Sequence, residues 1–148
     1  MFQTIIAFVA GLAIGLPAVA NEELDPDIKE LQGRWESSST DGVRVVRMEK
    51  HVTGNRETVR IFVDDQLVRQ HSVDISVERS GEVKVFRWKN GRIEAGAGVG
   101  ERMANGACIS RVRNDCWNCA FGMLDGDEQP VSVQIFRKMK EAPAKPAQ

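Results

Sequence analysis

The sequence predicts an all-β domain: a small antiparallel up-and-down β-barrel of about eight strands with a short N-terminal helix. Turn-forming dipeptides recur roughly every ten residues, and between them apolar and polar residues alternate, as in Val73, Ile75 and Val77. This alternation is the period of a half-buried strand, and helical periodicity is nowhere sustained for the roughly ten residues of a typical helix. Closure of such a meander into a barrel removes its exposed edges.

Length, charge and composition exclude several classes of protein. The 148 residues suffice for one domain, and 20 Lys and Arg against 21 Asp and Glu leave a net charge of −1 at pH 7. A nucleic-acid binder should carry a clustered basic surface, so we expect no nucleic-acid partner. The apolar fraction of 42% is too high for a disordered chain, and three cysteines are too few for a disulfide framework.

Residues 1–20 are predicted to be a signal peptide. Phe2–Ala20 carry no charge, and the small residues Ala18-Val19-Ala20 match the pattern that signal peptidase accepts. The apolar stretch Ile5–Leu16 is shorter than the ~20 residues needed to span a bilayer. We therefore expect cleavage before Asn21, a secreted or periplasmic protein, and no stable membrane insertion after cleavage. An uncleaved membrane anchor is the alternative.

The remaining boundaries follow from local composition. Residues 21–26 are a predicted linker, Asp27 is a cap candidate for a brief helix, and the barrel domain spans residues 27–140. The Pro- and Ala-rich residues 141–148 are expected to be a disordered tail. Among the turn signals Asn90-Gly91 is the strongest, because both residues tolerate the positive φ of a two-residue hairpin turn.

The two ends of the domain carry a family resemblance. Leu31-Gln32-Gly33-Arg34-Trp35 contains a Gly-x-Trp element, and the last strand ends in the basic Phe136-Arg137-Lys138. With the signal peptide and the meander, the chain resembles the short, secreted, lipocalin-like (calycin-type) bacterial β-barrels of unknown function. The resemblance implies that Gly33 enters the first strand, that Trp35 plugs the closed end, and that an arginine crosses the indole.

Arg137 is the candidate for that arginine. It shares strand parity with Val131, Val133 and Ile135, so alternation predicts that it points into the barrel and over Trp35. Parity also predicts the lining of an interior ligand site: Val46, Met48, Val73, Ile75, Trp117, Phe121 and Ile135.

Two functions are compatible with this fold. The first is non-enzymatic binding of a small apolar or amphipathic ligand inside a monomeric barrel, an expectation that rests on fold analogy. The alternative is a protein-binding module, such as a hydrolase inhibitor, that acts through the Gly96–Gly106 loop with Glu101, Arg102 and Met103.

The cysteines leave alternatives open. A turn at Asn114-Asp115 points Cys108 and Cys119 inward as diagonal neighbours, roughly 7–8 Å apart at Cα, which is too long for an unstrained disulfide. A register slip of two residues would allow a Cys108–Cys119 disulfide; otherwise both are buried thiols. Redox catalysis by Cys116 and Cys119 is a third hypothesis, which we disfavour because strand residues three apart face opposite sides.

No catalytic constellation is apparent, and we expect no enzyme activity, no cofactor and no metal site. His51 and His71 are the only histidines, and the chain has no serine elbow, phosphate loop or zinc-ligand pattern. His71 shares inward parity with Arg69, so the two could face the acidic group of a ligand at the open end. The alternative is a strand end at which parity no longer determines burial.

Overall fold

The computed structural model of the protein describes residues 23–124, 126 and 130–140. Within them lie one short helix and eight strands: α1 (Pro26–Lys29), β1 (Gly33–Thr40), β2 (Val45–Thr53), β3 (Arg56–Val63), β4 (Gln66–Ser80), β5 (Val83–Gly96), β6 (Gly106–Arg113), β7 (Cys116–Phe121) and β8 (Ser132–Lys138). In this described part, no helix has the length and hydrophobicity to cross a membrane. The predicted signal peptide and the predicted tail 141–148 lie outside the described residues.

The strands form a closed antiparallel barrel in sequence order, which confirms the predicted fold class. Each strand pairs with its sequence neighbours, and β1 closes the barrel against β8. The closing contact is short, with Trp35 opposite Lys138 and Glu36 opposite Arg137. The Met139 N–H extends it by donating to the Arg34 carbonyl at 2.9 Å.

Tight turns join several strands as predicted. Asp64 and Asp65 have φ of 49° and 63°, and Asn114 and Asp115 have φ of 51° and 57°. Positive φ at both central residues is the turn geometry that matches the twist of the flanking strands.

The turn predicted at Asn90-Gly91 is wrong, because β5 continues through it from Val83 to Gly96. Asn90 does take a positive φ of 54°, but at a point where the register between β4 and β5 shifts. A residue that tolerates positive φ is suited to a tight turn, but it is equally suited to a β-bulge that bends a long strand. The pair therefore bends β5 instead of ending it.

Helix α1 closes one end of the barrel. Its cap is Asp25, whose carboxylate accepts from the Asp27 N–H at 2.7 Å, so the helix begins at Pro26 and not after Asp27 as predicted. The Asp27 carboxylate instead receives two hydrogen bonds from Arg79, each of 2.6 Å, and an ion pair from Lys84 at 2.9 Å. These contacts attach α1 to β4 and β5.

Trp35 lies fully buried above this helix, as the resemblance implies for the closed end. Its indole N–H donates to the Leu31 carbonyl at 2.7 Å, and its ring meets Trp117 edge-on at a centroid distance of 5.7 Å. Trp117 in turn packs edge-on against Phe86 at 5.2 Å. Gly33 enters β1 at a φ of 105°, a conformation that favours glycine.

The inward face predicted for β8 is wrong. Ile135 is 51% exposed, Arg137 is exposed, and Phe136 between them is fully buried opposite Trp117. A strand with apolar residues on both faces does not define its inward face by alternation, and here the larger aromatic ring fills the interior. The cation over Trp35 is consequently Lys138, whose Nζ lies 5.2 Å from the ring centroid.

Candidate functional site

The barrel interior contains a cavity of about 160 Å³ that is partly open to solvent. An apolar cavity of about 150 Å³ can bind benzene, so this space suits a ligand body the size of one ring. Its wall combines eight residues with apolar or sulfur-bearing side chains and four polar ones: Met48, Val59, Val73, Phe86, Trp88, Met103, Cys108 and Phe121, with Lys50, Glu57, His71 and Gln134.

Three of the seven predicted lining residues, Met48, Val73 and Phe121, lie in this wall. Trp117 and Ile75 are buried in the core outside the wall, and Val46 is half-buried on β2. Ile135 faces outward for the reason given for β8.

A buried ion pair joins β2 to β3 at the cavity wall. Lys50 Nζ lies 2.9 Å from Glu57 Oε1, and the two side chains are only 8% and 5% exposed. The contact leaves Glu57 Oε1 without an aligned hydrogen bond, so the pair is held mainly by charge. The ammonium also lies 4.3 Å from the Trp117 ring and 4.5 Å from the Phe136 ring, whose faces attract a cation.

Lys50 stays protonated in this position. Burial on its own would lower the pKa of Lys50, but the Glu57 carboxylate, with smaller contributions from Cys119 and Cys108, raises the pKa above its ordinary value. Parity alone could have located the pair, because Lys50 shares strand parity with Met48 and Val52. The sequence reasoning missed it because lysine and glutamate are rarely fully buried.

His71 on β4 points into the cavity and is 9% exposed. Its Nδ1 has no hydrogen-bond partner among the described residues, and the same holds for the buried Nε of Arg69 on the same strand. Burial, and then the charges of Arg69 and Lys50, lower the pKa of His71 to about 4, against a smaller opposing effect of Glu94. His71 is therefore neutral at pH 7.

Arg69 lines a second cavity next to the one inside the barrel, and Trp88 and Met103 line both cavities. A bulge in β4 precedes it, since Ile61 pairs with Arg69 while Phe62 pairs with Leu67. Bulges commonly redirect a side chain next to a functional site.

The Cys108 and Cys119 thiols are free and buried beside Lys50. Ser110 pairs with Cys119, which is the predicted register, so the cysteines are diagonal neighbours and the candidate disulfide is absent. The hydrogen bond to Cys119, together with burial, raises the pKa of the Cys108 thiol well above its ordinary value. Cys116 is half-buried at the rim and alternates with Trp117 and Cys119, which both face the core.

The glycine-rich segment after β5 forms part of the cavity wall. The Met103 N–H donates to the Gly91 carbonyl at 2.9 Å, and the Ile93 N–H donates to the Glu101 carbonyl at 3.0 Å. A Cβ on Gly91 would lie 2.7 Å from Met103 Cβ, so glycine is what allows this segment to approach so closely. The Met103 side chain thereby reaches the cavity.

Comparisons with protein-family models, with curated proteins and with solved structures give no match to this chain. Among the residues described, no three His, Cys, Asp or Glu side chains are grouped so as to hold a metal ion. The geometry of the cavity is therefore the main evidence for function.

Proposed function

We propose that the protein is a secreted, lipocalin-like binding protein that holds a small molecule with an apolar body inside its barrel. The observation that carries the proposal is the mostly apolar cavity of about 160 Å³ above an end closed by α1 and Trp35. The uncharged N-terminal stretch, ending in Ala18-Val19-Ala20, supports secretion.

The volume restricts the ligand class. Sites for drug-sized molecules span about 300–1,000 Å³, so this cavity suits a single ring or a short branched chain. A long acyl chain would not fit entirely within it. Met48 and Met103, which both line the cavity, are flexible, polarisable side chains that adapt to such shapes.

The ionisable groups in the wall favour binding over catalysis. Lys50 is held protonated by Glu57 and is therefore a poor nucleophile. The Cys108 thiol, with its raised pKa, is equally unsuited to nucleophilic attack, and Cys119, whose pKa is lowered by its hydrogen bond with Cys108, lies outside the cavity wall.

Methionine-methyl NMR tests the proposal. With ¹³C-labelled methionine methyl groups, titration with toluene should shift the Met48 and Met103 signals, which come from the cavity wall. Met123 is 55% exposed and serves as the internal control. Equal shifts at all three, or none, would contradict an interior site.

A matched pair of variants locates the binding site. Val73→Phe places a ring in the cavity and should abolish the toluene shifts, whereas Val133→Phe adds the same bulk on the exposed face of β8 and should retain them. Loss of binding in Val133→Phe but not in Val73→Phe would place the ligand outside the barrel.

Loop-mediated capture of a protein such as a hydrolase is the alternative function. Two contacts weigh against it: Met103 is directed into the cavity wall, and the Glu101 carbonyl is bound to β5. If Arg102→Ala abolished capture of a partner from envelope extract while toluene binding was absent in the parent protein, this alternative would replace the proposal.

A further inference from the structure

We infer that the ligand carries a carboxylate, and that Arg69 and His71 hold it; the inference rests on the proposed function. The observation behind it is a pair of nitrogen atoms, Arg69 Nε and His71 Nδ1, that are buried without a hydrogen-bond partner among the described residues. Both belong to β4 and have the same strand parity.

The buried Arg69 Nε–H calls for an acceptor, and so does His71 Nδ1 in the neutral tautomer that carries its proton on that nitrogen. Nearly all buried polar groups in folded proteins have a partner, and exceptions often mark the place of a ligand or an ordered water. Only 9% of His71 is exposed, so bulk solvent reaches it poorly. A carboxylate offers two acceptor oxygens, one for each nitrogen.

The charge balance of the interior favours an anion. Lys50 and Glu57 neutralise each other at 2.9 Å, whereas Arg69 makes no ion pair with any described residue. Glu94, which lies near His71, is engaged elsewhere, since its carboxylate accepts from Ser72 at 2.5 Å and from Gln70 at 2.8 Å. The Arg69 guanidinium thus has no ion-pair partner among the described residues, and the charges of Glu101 and Arg102, which line the same cavity, offset each other.

The size and charge of the site together indicate a carboxylate. A single negative charge matches the net positive charge that Arg69, Arg102 and Glu101 leave in the Arg69 cavity, and a carboxylate is planar like the guanidinium that binds it. With its oxygens at Arg69 and His71, the apolar remainder would occupy the space beside Trp88 and Met103, which line both the inner cavity and the Arg69 cavity. The expected ligand class is therefore a small aryl or branched-chain carboxylic acid.

Benzoate and benzamide form the decisive pair of probes, because they share their shape and differ in charge. Benzoate should bind roughly tenfold or more tightly, as expected for hydrogen bonds to a charged acceptor. It should also raise the pKa of His71, measured from the imidazole signals, above the value of about 4 in the free protein. The groups around His71 that bear on this titration are Arg69, Lys50, Glu57 and Glu94.

Arg69→Met removes the cation and should reduce the preference for benzoate over benzamide to about onefold while toluene binding persists. The matched control is Arg60→Met, which removes an exposed cation from β3 that donates to Gln70 at 3.0 Å. That variant should keep the preference. If Arg69→Met does not fold, the titration of His71 in the parent protein decides alone.

Each negative result has a distinct meaning. Equal affinity for benzoate and benzamide, with toluene still shifting Met48 and Met103, would overturn the carboxylate inference and leave the proposed function standing. Loss of the benzoate preference in Arg60→Met to the same extent as in Arg69→Met would also overturn it, since the effect would then be general electrostatics. If no probe shifts either methyl signal, the proposed function itself fails.

Discussion

Individual residues contribute unequally, and the buried ion pair is the most demanding contact in the barrel. Lys50→Met leaves the Glu57 carboxylate buried without its counter-charge, which should lower the free energy of unfolding by about 3–5 kcal/mol. The double variant Lys50→Met/Glu57→Leu should recover most of that loss, because no buried charge remains. Urea denaturation of the parent, single and double variants measures both effects. A double variant as unstable as the single one would contradict the coupling.

The closed end gives a second residue-scale prediction. Trp35→Ala should cost roughly 3–5 kcal/mol, because it empties a fully buried site. Lys138→Ala should cost about 0.5–1 kcal/mol through its contact with the indole, and Arg137→Ala less than about 0.5 kcal/mol. Thermal unfolding of the three variants ranks them. A larger effect for Arg137 than for Lys138 would instead support an inward-facing Arg137 over the Trp35 ring.

At the scale of elements, the approach of β5 to β4 depends on Gly96. A Cβ there would lie 2.0 Å from the Val68 carbonyl oxygen, whereas a Cβ on Gly42 would meet nothing within 4 Å. Both glycines have positive φ, of 85° and 92°, so alanine is strained at both. Gly96→Ala should therefore be less stable than Gly42→Ala by about 1–3 kcal/mol in denaturant titrations. Equal losses would mean that backbone strain alone accounts for both.

Elements differ in how far their sequence determines them. The strands follow from alternation between turn residues, because a two-residue side-chain period and a tight turn are local properties. The bend at Asn90 and the inward face of β8 could not be predicted. The same dipeptide serves a turn or a bulge, and only the partner strand decides which face of an apolar strand is buried.

For the whole molecule, the lowered pKa values of His71 and Asp27 make stability depend on pH in separate windows, and those of Asp41 and Glu94 add to the more acidic one. The pKa of His71 is lowered to about 4, so between pH 6.5 and 4 the unfolded chain binds a proton that the folded state does not. The free energy of unfolding therefore decreases as the pH is lowered through this window. The pKa of Asp27 is lowered to about 2, mainly by hydrogen bonds from Arg79 and Lys84, so a further loss occurs below pH 3.8.

Unfolding free energies measured across this pH range separate the two contributions. His71→Gln should flatten the upper window, and Asp27→Asn should reduce the slope of the lower one. An unchanged slope between pH 6.5 and 4 in His71→Gln would contradict the burial of a neutral imidazole.

The candidate site could be predicted only in part. The cavity wall includes Met48, Val73 and Phe121, for which strand parity predicted an inward face. Lys50 and Glu57 were missed since charged side chains normally remain outside, and the existence of a cavity depends on how side chains of distant strands pack. The inward parity of Lys50 is a local property of the sequence, whereas the cavity is not.

The central claim is that the barrel interior holds an apolar cavity, and crystallography under xenon pressure tests it most directly. Xenon enters apolar protein cavities without chemical recognition. We predict xenon density inside the barrel in contact with Met48, Val73 and Phe121, with the surrounding side chains in place. A barrel without interior xenon, its centre filled by the rings of Trp88 and Phe86, would contradict the claim.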